Sequence, residues 1–359
     1  MQRKCNFGII GSGWRAEFYM RIAQALPDLF QVSGIVTRNK EKKVQFEKTF
    51  GYRVYNSIDD LLLERQPDFM VVSVSKTVAA GITAQLSQKG IAVLAETPPA
   101  TNIKELNELY KLVKSGARIQ IAEQYFLQPM NAAALSVMQS GRMGNINYAL
   151  VSFSHGYHAI SLIRKILGIG YENAIIQAHK FSFPLVEGFT RAGMPEKESI
   201  KDNEHVFAFF DFGNKLGLYD FENNQHRSWA RSQRIMARGE RGEINNADVK
   251  YLKDFETPIE LTLKRMQAGE SGNLEGYYFK GVLCGEQWIY QNPFIPISFS
   301  DEEIAIAMCL LKMKEYVEGG PEFYSLAEAS QDQYLALMME QALESGEKVT
   351  TQTQGWAHS

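Results

Sequence analysis

At 359 residues with 45% hydrophobic composition, the chain has material for two cores and is long for a single domain. Lys plus Arg number 38 against 41 Asp plus Glu, a formal charge of −3 with no long basic tract, which argues against nucleic acid or an anionic membrane as partner. Cys5, Cys284 and Cys309 lie far apart and form no CxxC pair, so reduced thiols are expected and a structural zinc site is not indicated.

The N-terminal MQRKCNFGIIGSG enters a glycine-rich turn after a short apolar run, with neither a signal-peptide core nor a membrane-spanning stretch. A cytoplasmic location is expected. Residues 5–10 predict a strand, 15–25 a helix, 31–36 a second strand and 40–50 a second helix. Ser57 followed by Asp60 marks a helix start into 61–64, and 68–74 predict a buried strand. Helix 77–88, strand 91–95, helix 103–115 and strand 118–122 follow. Short apolar strands alternating with amphipathic helices build a parallel sheet flanked by helices, here an α/β domain over residues 1–123.

After Gln124 the texture changes. Helices over 129–140 and 158–167 precede runs of period-two alternation, clearest in HVFAFFDFGNKLGLYDFE, two strands joined at Gly213-Asn214-Lys215. Further strands are predicted at 227–238, 243–250 and 260–265. The reading is a C-terminal α+β domain over 124–345 with a large open, mostly antiparallel sheet. Helices 301–317 and 326–345 close it, the last packing back on the first domain, before a polar tail over 346–359.

Gly11-Ser12-Gly13-Trp14-Arg15-Ala16 follows the first strand and opens the first helix, giving GxGxxA in the context of the dinucleotide fingerprint. Gly11 permits the tight turn, Gly13 lets the backbone approach a pyrophosphate, and Ala16 allows close helix–strand packing. The implied cofactor is NAD or NADP. The second strand ends in Val36-Thr37-Arg38-Asn39, where an NAD site usually offers an acid. Arg38 reads either as a contact to a 2′-phosphate or adenine, or as a solvated loop arginine, and the choice of cofactor stays open.

Ser73, Ser75 and Lys76 end a parallel strand, where ligands gather in open α/β sheets. Lys76 reads either as a cofactor-side charge or as a solvated lysine. Glu96 and Gln124 close later strands and are expected beside the nicotinamide. In VLAETPPAT a strand stops abruptly at Glu96, Thr97 and two prolines.

With the loop, the AETPP strand end and SLIRKILG in place, the chain resembles the glucose-fructose oxidoreductase, inositol dehydrogenase and MocA-like (Gfo/Idh/MocA) family. The likeness extends through SIDDLLLERQPDFMVVSVS, LQPMNAAALSVMQSGRMGNI, ARGERGEI and SLAEASQDQYLALMMEQALESGEKV, and covers nearly the whole chain. It implies a Rossmann domain followed by a sheet domain, hydride transfer at a secondary alcohol of a sugar, glycoside or polyol, and homo-oligomers formed through the sheet. In most members the strand ends in Glu-Lys-Pro, and the lysine orients or protonates the substrate oxygen. Here Glu96, Thr97 and Pro98 stand there. A second motif, Asp-x-x-x-His, matches Ser154 and His158, with Ser161 where another acid commonly follows.

Two of three expected proton-transfer residues are therefore changed. A threonine hydroxyl donates a hydrogen bond but carries no positive charge. The catalytic candidates are His158, Tyr157 and Thr97; His155 and the loop residue Arg191 join them as substrate contacts. The His155/His158 spacing suits a metal pair, yet no third ligand accompanies it. Arg227, Trp229 and Arg231 alternate as a cation-aromatic stripe on a strand face, suited either to a sugar or to a sister subunit. Besides the NAD(P)-dependent oxidoreductase, two alternatives stand: a cofactor-binding sensor or partner subunit without turnover, and a redox-assisted glycosidase or lyase.

Overall fold

A computed structural model describes residues 3–190, 193–270 and 274–358, which form two compact units. The first comprises residues 1–128, 294–333 and 358–359, less those outside the described ranges. It opens with β1 (Cys5–Ile10), α1 (Trp14–Ala25), β2 (Phe30–Val36), α2 (Lys40–Phe50), β3 (Val54–Tyr55) and α3 (Ile58–Glu64). β4 (Phe69–Val72), α4 (Lys76–Gln88), β5 (Val93–Ala95), α5 (Ile103–Lys114) and β6 (Ile119–Ile121) follow. The strands form a parallel sheet in the order β3-β2-β1-β4-β5-β6.

The run Phe-Met-Val-Val of β4 is apolar throughout because both its faces are covered, and all four residues are buried. Ser57 caps α3 by accepting from the Asp60 N–H at 3.1 Å, as its sequence signal predicts. Consecutive strands run outward on either side of the β1/β4 boundary. This is the switch point at which open α/β sheets gather ligands beyond their strand C-termini.

The second unit comprises residues 129–293 and 334–357, again within the described ranges. Its elements are α6 (Pro129–Gln139), β7 (Ile146–Ser152), α7 (Gly156–Leu167), β8 (Ile175–Val186), β9 (Ile200–Asp211), β10 (Leu216–Glu222) and β11 (Arg234–Gly239). β12 (Gly242–Asn245), β13 (Asp248–Leu252), β14 (Pro258–Gln267), β15 (Phe279–Cys284) and β16 (Gln287–Gln291) complete the run. Next come α8 (Asp301–Val317), α9 (Leu326–Ser345) and β17 (Val349–Thr350); α8 and the first eight residues of α9 belong to the first unit. Among the described residues the sheet is eleven-stranded, ordered β16-β15-β14-β13-β12-β11-β7-β10-β9-β8-β17. Every pairing is antiparallel except β7 with β10.

The alternation in HVFAFFDF shows in burial: Ala208 and Phe210 are buried, while Phe209 is 43% exposed on the other face. The hairpin turns through Gly213, as expected.

Several expectations need correction. The stretch 227–238 is strand only from Arg234. Gln225 folds inward, its amide donating to Ser152 O at 2.7 Å and Ser232 O at 2.8 Å, and so gathers residues 225–233 into a 3₁₀ turn and loop. Arg227, Trp229 and Arg231 therefore share no strand face; Trp229 is 85% exposed and Arg231 pairs with Glu222 at 2.6 Å. The stretch 243–250 breaks into β12 and β13 at Asn246, which takes a left-handed φ of 53°.

The first unit runs to residue 128 and takes in residues 294–333. Within 346–359, expected as a polar tail, β17 pairs with β8 and Trp356 is fully buried against Tyr334. β8 itself carries no clean strand signal because Pro184 interrupts it. It pairs with β17 only at Ile175 and Ile176, so Pro184 falls on an open edge where its missing N–H costs no ladder bond. Among the described residues no helix is long and apolar enough to cross a membrane.

Candidate functional site

The C-terminal ends of β1, β2, β4 and β5 are laced together by backbone hydrogen bonds. Gly11 N donates to Val36 O at 3.0 Å, Ser73 N to Ile10 O at 2.8 Å, and Glu96 N to Val72 O at 3.0 Å. Gly11 sits at φ 127°, and a Cβ there would lie 1.9 Å from Ser73 O. Only glycine fits, for both conformation and space. Ser73 thus serves the loop through its backbone.

A Cβ on Gly13, by contrast, would meet nothing within 4 Å. Gly13 is the N-cap of α1 and supplies no side-chain cap, so the first N–H groups of the helix face an open approach. A turn that only glycine can make, leading to an uncapped helix start, fits the pyrophosphate of a dinucleotide.

At the tip of β2, Thr37 is 8% exposed. Its Oγ1 donates to Ser12 Oγ at 2.9 Å and accepts from Asn39 N at 3.2 Å, while Asn39 caps α2 by accepting from Lys42 N at 3.0 Å. Arg38, between them, is exposed. Ser75 and Lys76 start α4 and are exposed, with Ser75 Oγ 3.0 Å from Thr77 Oγ1.

The tips of β5 and β6 converge on one cation, Arg15. Its Nη2 lies 2.9 Å from Glu302 Oε1, and its Nε lies 3.7 Å from Glu96 Oε1. With its amide oxygen turned toward Arg15, Gln124 accepts from Nη2 at 3.1 Å and donates to Ala122 O at 3.0 Å. The guanidinium also lies 4.3 Å from the Trp14 ring centroid. Burial works against the charge, but Glu96 and Glu302 outweigh it and hold Arg15 above its usual range. Tyr19 donates to Glu96 Oε1 at 2.6 Å; burial, reinforced by Glu96, pushes its phenol well up, so it stays protonated as a donor. Thr97 follows Glu96, half-buried and joined to Pro98 by a cis peptide. The fixed positive charge of this region is thus Arg15 on α1, and the post-strand position holds a neutral hydroxyl.

In the second unit, α7 brings three sequence candidates together. His155 precedes the helix, with its ring 5.0 Å from that of His158 at 85°. Tyr157 is buried, and its ring lies 5.5 Å from His158. Tyr219 of β10 accepts from the Gly156 N–H at 3.0 Å and so fixes the start of this helix. Burial pushes the Tyr219 hydroxyl up to about 12, against the lowering pull of that bond. Ser154 and Ser161 are buried, 2% and 1% exposed, and their Oγ atoms have no hydrogen-bond partner among the described residues. Arg191 lies outside the described residues.

Tyr19, Tyr219 and Glu302 were missed by sequence reasoning. Tyr19 stands four residues after Arg15, the spacing that places two side chains on one helix face, and this signal was available. Glu302 is 287 residues from Arg15, and only tertiary structure joins them.

Residues 5–123 match the GFO_IDH_MocA sequence model, described as oxidoreductase family, NAD-binding Rossmann fold. The uncharacterized protein YMR315W of Saccharomyces cerevisiae is 26% identical over 129 residues, 34% of this chain and 37% of that protein. The match therefore spans little over a third of the yeast relative. Among solved structures, GenD2 from gentamicin A biosynthesis in complex with NAD superposes with a TM-score of 0.68 at 15% identity, covering 98% of this chain and 97% of that one. The WlbA dehydrogenase of Bordetella pertussis, in complex with NADH and UDP-GlcNAcA, gives 0.64 at 14% identity over 98% and 100%. At these identities the structural likeness establishes the fold.

Proposed function

From the premise that residues 5–123 belong to the Gfo/Idh/MocA oxidoreductase family as its NAD-binding Rossmann fold, we propose that the chain is an NAD(P)-dependent oxidoreductase acting at a secondary alcohol of a sugar, glycoside or polyol. The observation that carries this reading is the intact phosphate loop, with Gly11 locked under Ser73 O and Gly13 open to a ligand. The sugar class draws support from the WlbA structure, whose bound molecule is UDP-GlcNAcA.

A bound nicotinamide supplies the hydride acceptor or donor. The chain supplies the rest. The first N–H groups of α1 hold the pyrophosphate, and Arg15 fixes Glu96 and Gln124 against movement. His158 takes the alcohol proton on oxidation and returns it on reduction, as an imidazole ring can. Thr97 contributes a hydrogen bond without charge.

The exposed aromatic rings of the open sheet, Phe181, Phe183 and Phe209 at 43–50% exposure, favour a homo-oligomer joined through that face. Light scattering after gel filtration tests this, and a monomer at micromolar concentration would count against it.

The activity is tested by nicotinamide absorbance with a panel of sugars and polyols. Turnover should fall by roughly 10²- to 10⁴-fold in His158→Gln with cofactor affinity retained. A His158→Gln enzyme as fast as wild type would remove the assigned role. One observation favours a second reading, a cofactor-holding sensor or partner subunit: Thr97 and the Ser154 hydroxyl, without a hydrogen-bond partner among the described residues, stand where the resemblance expects ionisable groups. Nucleotide binding with no label exchange between cofactor and any panel substrate, and turnover gained in Thr97→Lys, would favour that reading.

A further inference from the structure

We infer that the tip of β2 is built for a 2′-phosphorylated adenosine ribose, so that the protein prefers NADP(H) to NAD(H). The inference rests on the cofactor reading above and adds the specificity of that site. In a Rossmann domain the residue closing the second strand decides between the two cofactors: a carboxylate accepts from the ribose 2′-hydroxyl and repels a phosphate, whereas an arginine accommodates the phosphate.

No acid occupies this tip, which reads Val36-Thr37-Arg38-Asn39. Two of its polar side chains are already committed. Thr37 is buried and bridges Ser12 Oγ to Asn39 N, locking the tip against the glycine loop, and Asn39 caps α2. Arg38 is left, exposed and without a hydrogen bond or ion pair of its own among the described residues. The lock fixes its backbone while the guanidinium stays available.

The surrounding charge agrees. Residues 37–43 carry four cations, Arg38, Lys40, Lys42 and Lys43, against one acid, Glu41. Glu17, on neighbouring α1, is engaged by Lys42 at 3.1 Å. Glu41 is exposed in the first turn of α2, three residues past Arg38 and beyond the tip itself. A carboxylate that would repel a phosphate dianion is therefore absent where selection against NADP(H) requires it. A guanidinium that binds phosphate with charge-assisted, bidentate geometry stands there instead.

Binding of each reduced nucleotide to the purified full chain, followed by nicotinamide fluorescence with no substrate present, tests this without requiring turnover. NADPH should bind at least about tenfold tighter than NADH, the effect of one charge-assisted contact. Arg38→Ala should weaken NADPH by about tenfold or more while moving NADH less than about threefold, and Arg38→Glu should reverse the order of preference. Arg38 is exposed, so neither variant threatens the fold. Equal or tighter binding of NADH by the wild type, or an equal loss of both nucleotides in Arg38→Ala, overturns the inference and leaves the cofactor reading standing. Binding of neither nucleotide overturns that reading and the inference with it.

Discussion

The tip of β5 and the start of α7 hold buried polar groups in different ways. At β5, Glu96, Glu302 and Gln124 meet Arg15 and Tyr19 donates to Glu96, so one permanent cation is balanced by carboxylates and an accepting amide, while Arg15 Nη1 has no hydrogen-bond partner among the described residues. At α7, Ser154 and Ser161 bury hydroxyls with no partner among the described residues, and neither position carries a charge. The first region is a charged cluster built around one arginine; the second sets His158 on a helix whose buried hydroxyls carry no charge. In the nucleotide-binding unit the strand tip carries the neutral hydroxyl of Thr97, and Arg15 supplies a cation from the adjoining helix. An arginine held by two carboxylates cannot exchange protons at neutral pH, so it can position and polarise but not act as acid or base.

The contrast is broken most severely at its foundation. Gly11→Ala would press a Cβ against the Ser73 carbonyl, a backbone atom that cannot rotate away, at a φ that alanine rarely adopts. The expected outcome is a stability loss of more than about 3 kcal/mol with nucleotide binding abolished. Urea unfolding and fluorescence titration check it, and a variant that still binds nucleotide would show that the loop is not the cofactor site. Arg15→Met comes next. It leaves Glu96 and Glu302 close together without their cation, at a cost of about 3 kcal/mol. Arg15→Lys should recover part of that loss, because charge is restored without the fork geometry. Equal stability of the Met and wild-type proteins would mean that the cluster is solvated in solution.

How much of this was legible in the sequence differs between the two regions for a physical reason. The succession of strands and helices along the first domain, the phosphate loop and the hairpin at Gly213 follow from local signals: apolar runs bounded by turns, glycine spacing, period-two alternation. Each signal is complete within some twenty residues. The Arg15 cluster is not local, since Glu302 comes from α8 and no pattern near residue 15 announces it. The loop over 225–233 was misread as strand because Arg227, Trp229 and Arg231 alternate, while the inward turn of a single amide, Gln225, decided the conformation. β8 was missed because Pro184 is a breaker everywhere except on an edge, and edges are assigned only once the sheet is assembled. The burial of Trp356, likewise, rests on contacts made far from its own neighbourhood.

A smaller effect tests how the start of α7 is held. Tyr219 has an ordinary phenol value of 10.0 and is pushed up to about 12 by burial, so the folded state holds its proton where the unfolded chain releases it. Its contribution to stability is therefore complete below pH 10 and is lost as pH rises through 12. Tyr219→Phe should cost about 1 kcal/mol at neutral pH, from the lost acceptor for Gly156 N–H. It should also flatten the fall in stability between pH 10 and 12. Denaturant melts across that range check both, and an alkaline slope identical to wild type would place the titration elsewhere.

The smallest effect has the most informative sign. Ser161 and Ser152 are equally deep, at 1% and 0% exposure, yet Ser152 Oγ accepts from Gln225 Nε2 at 3.0 Å while Ser161 Oγ has no partner among the described residues. The same substitution should therefore move stability in opposite directions. Ser152→Ala removes a hydrogen-bonded hydroxyl, a third acceptor that the Gln225 amide shares with Ser152 O and Ser232 O, and should destabilise by about 1 kcal/mol or less, whereas Ser161→Ala removes a desolvated hydroxyl and should be neutral or stabilising by up to about 1 kcal/mol. Parallel urea titrations of the two variants decide it. If Ser161→Ala were the more destabilising, its hydroxyl would be engaged in solution. The contrast between a charged cluster at Arg15 and uncharged, unpartnered hydroxyls at the start of α7 would then rest, among the described residues, on Ser154 alone.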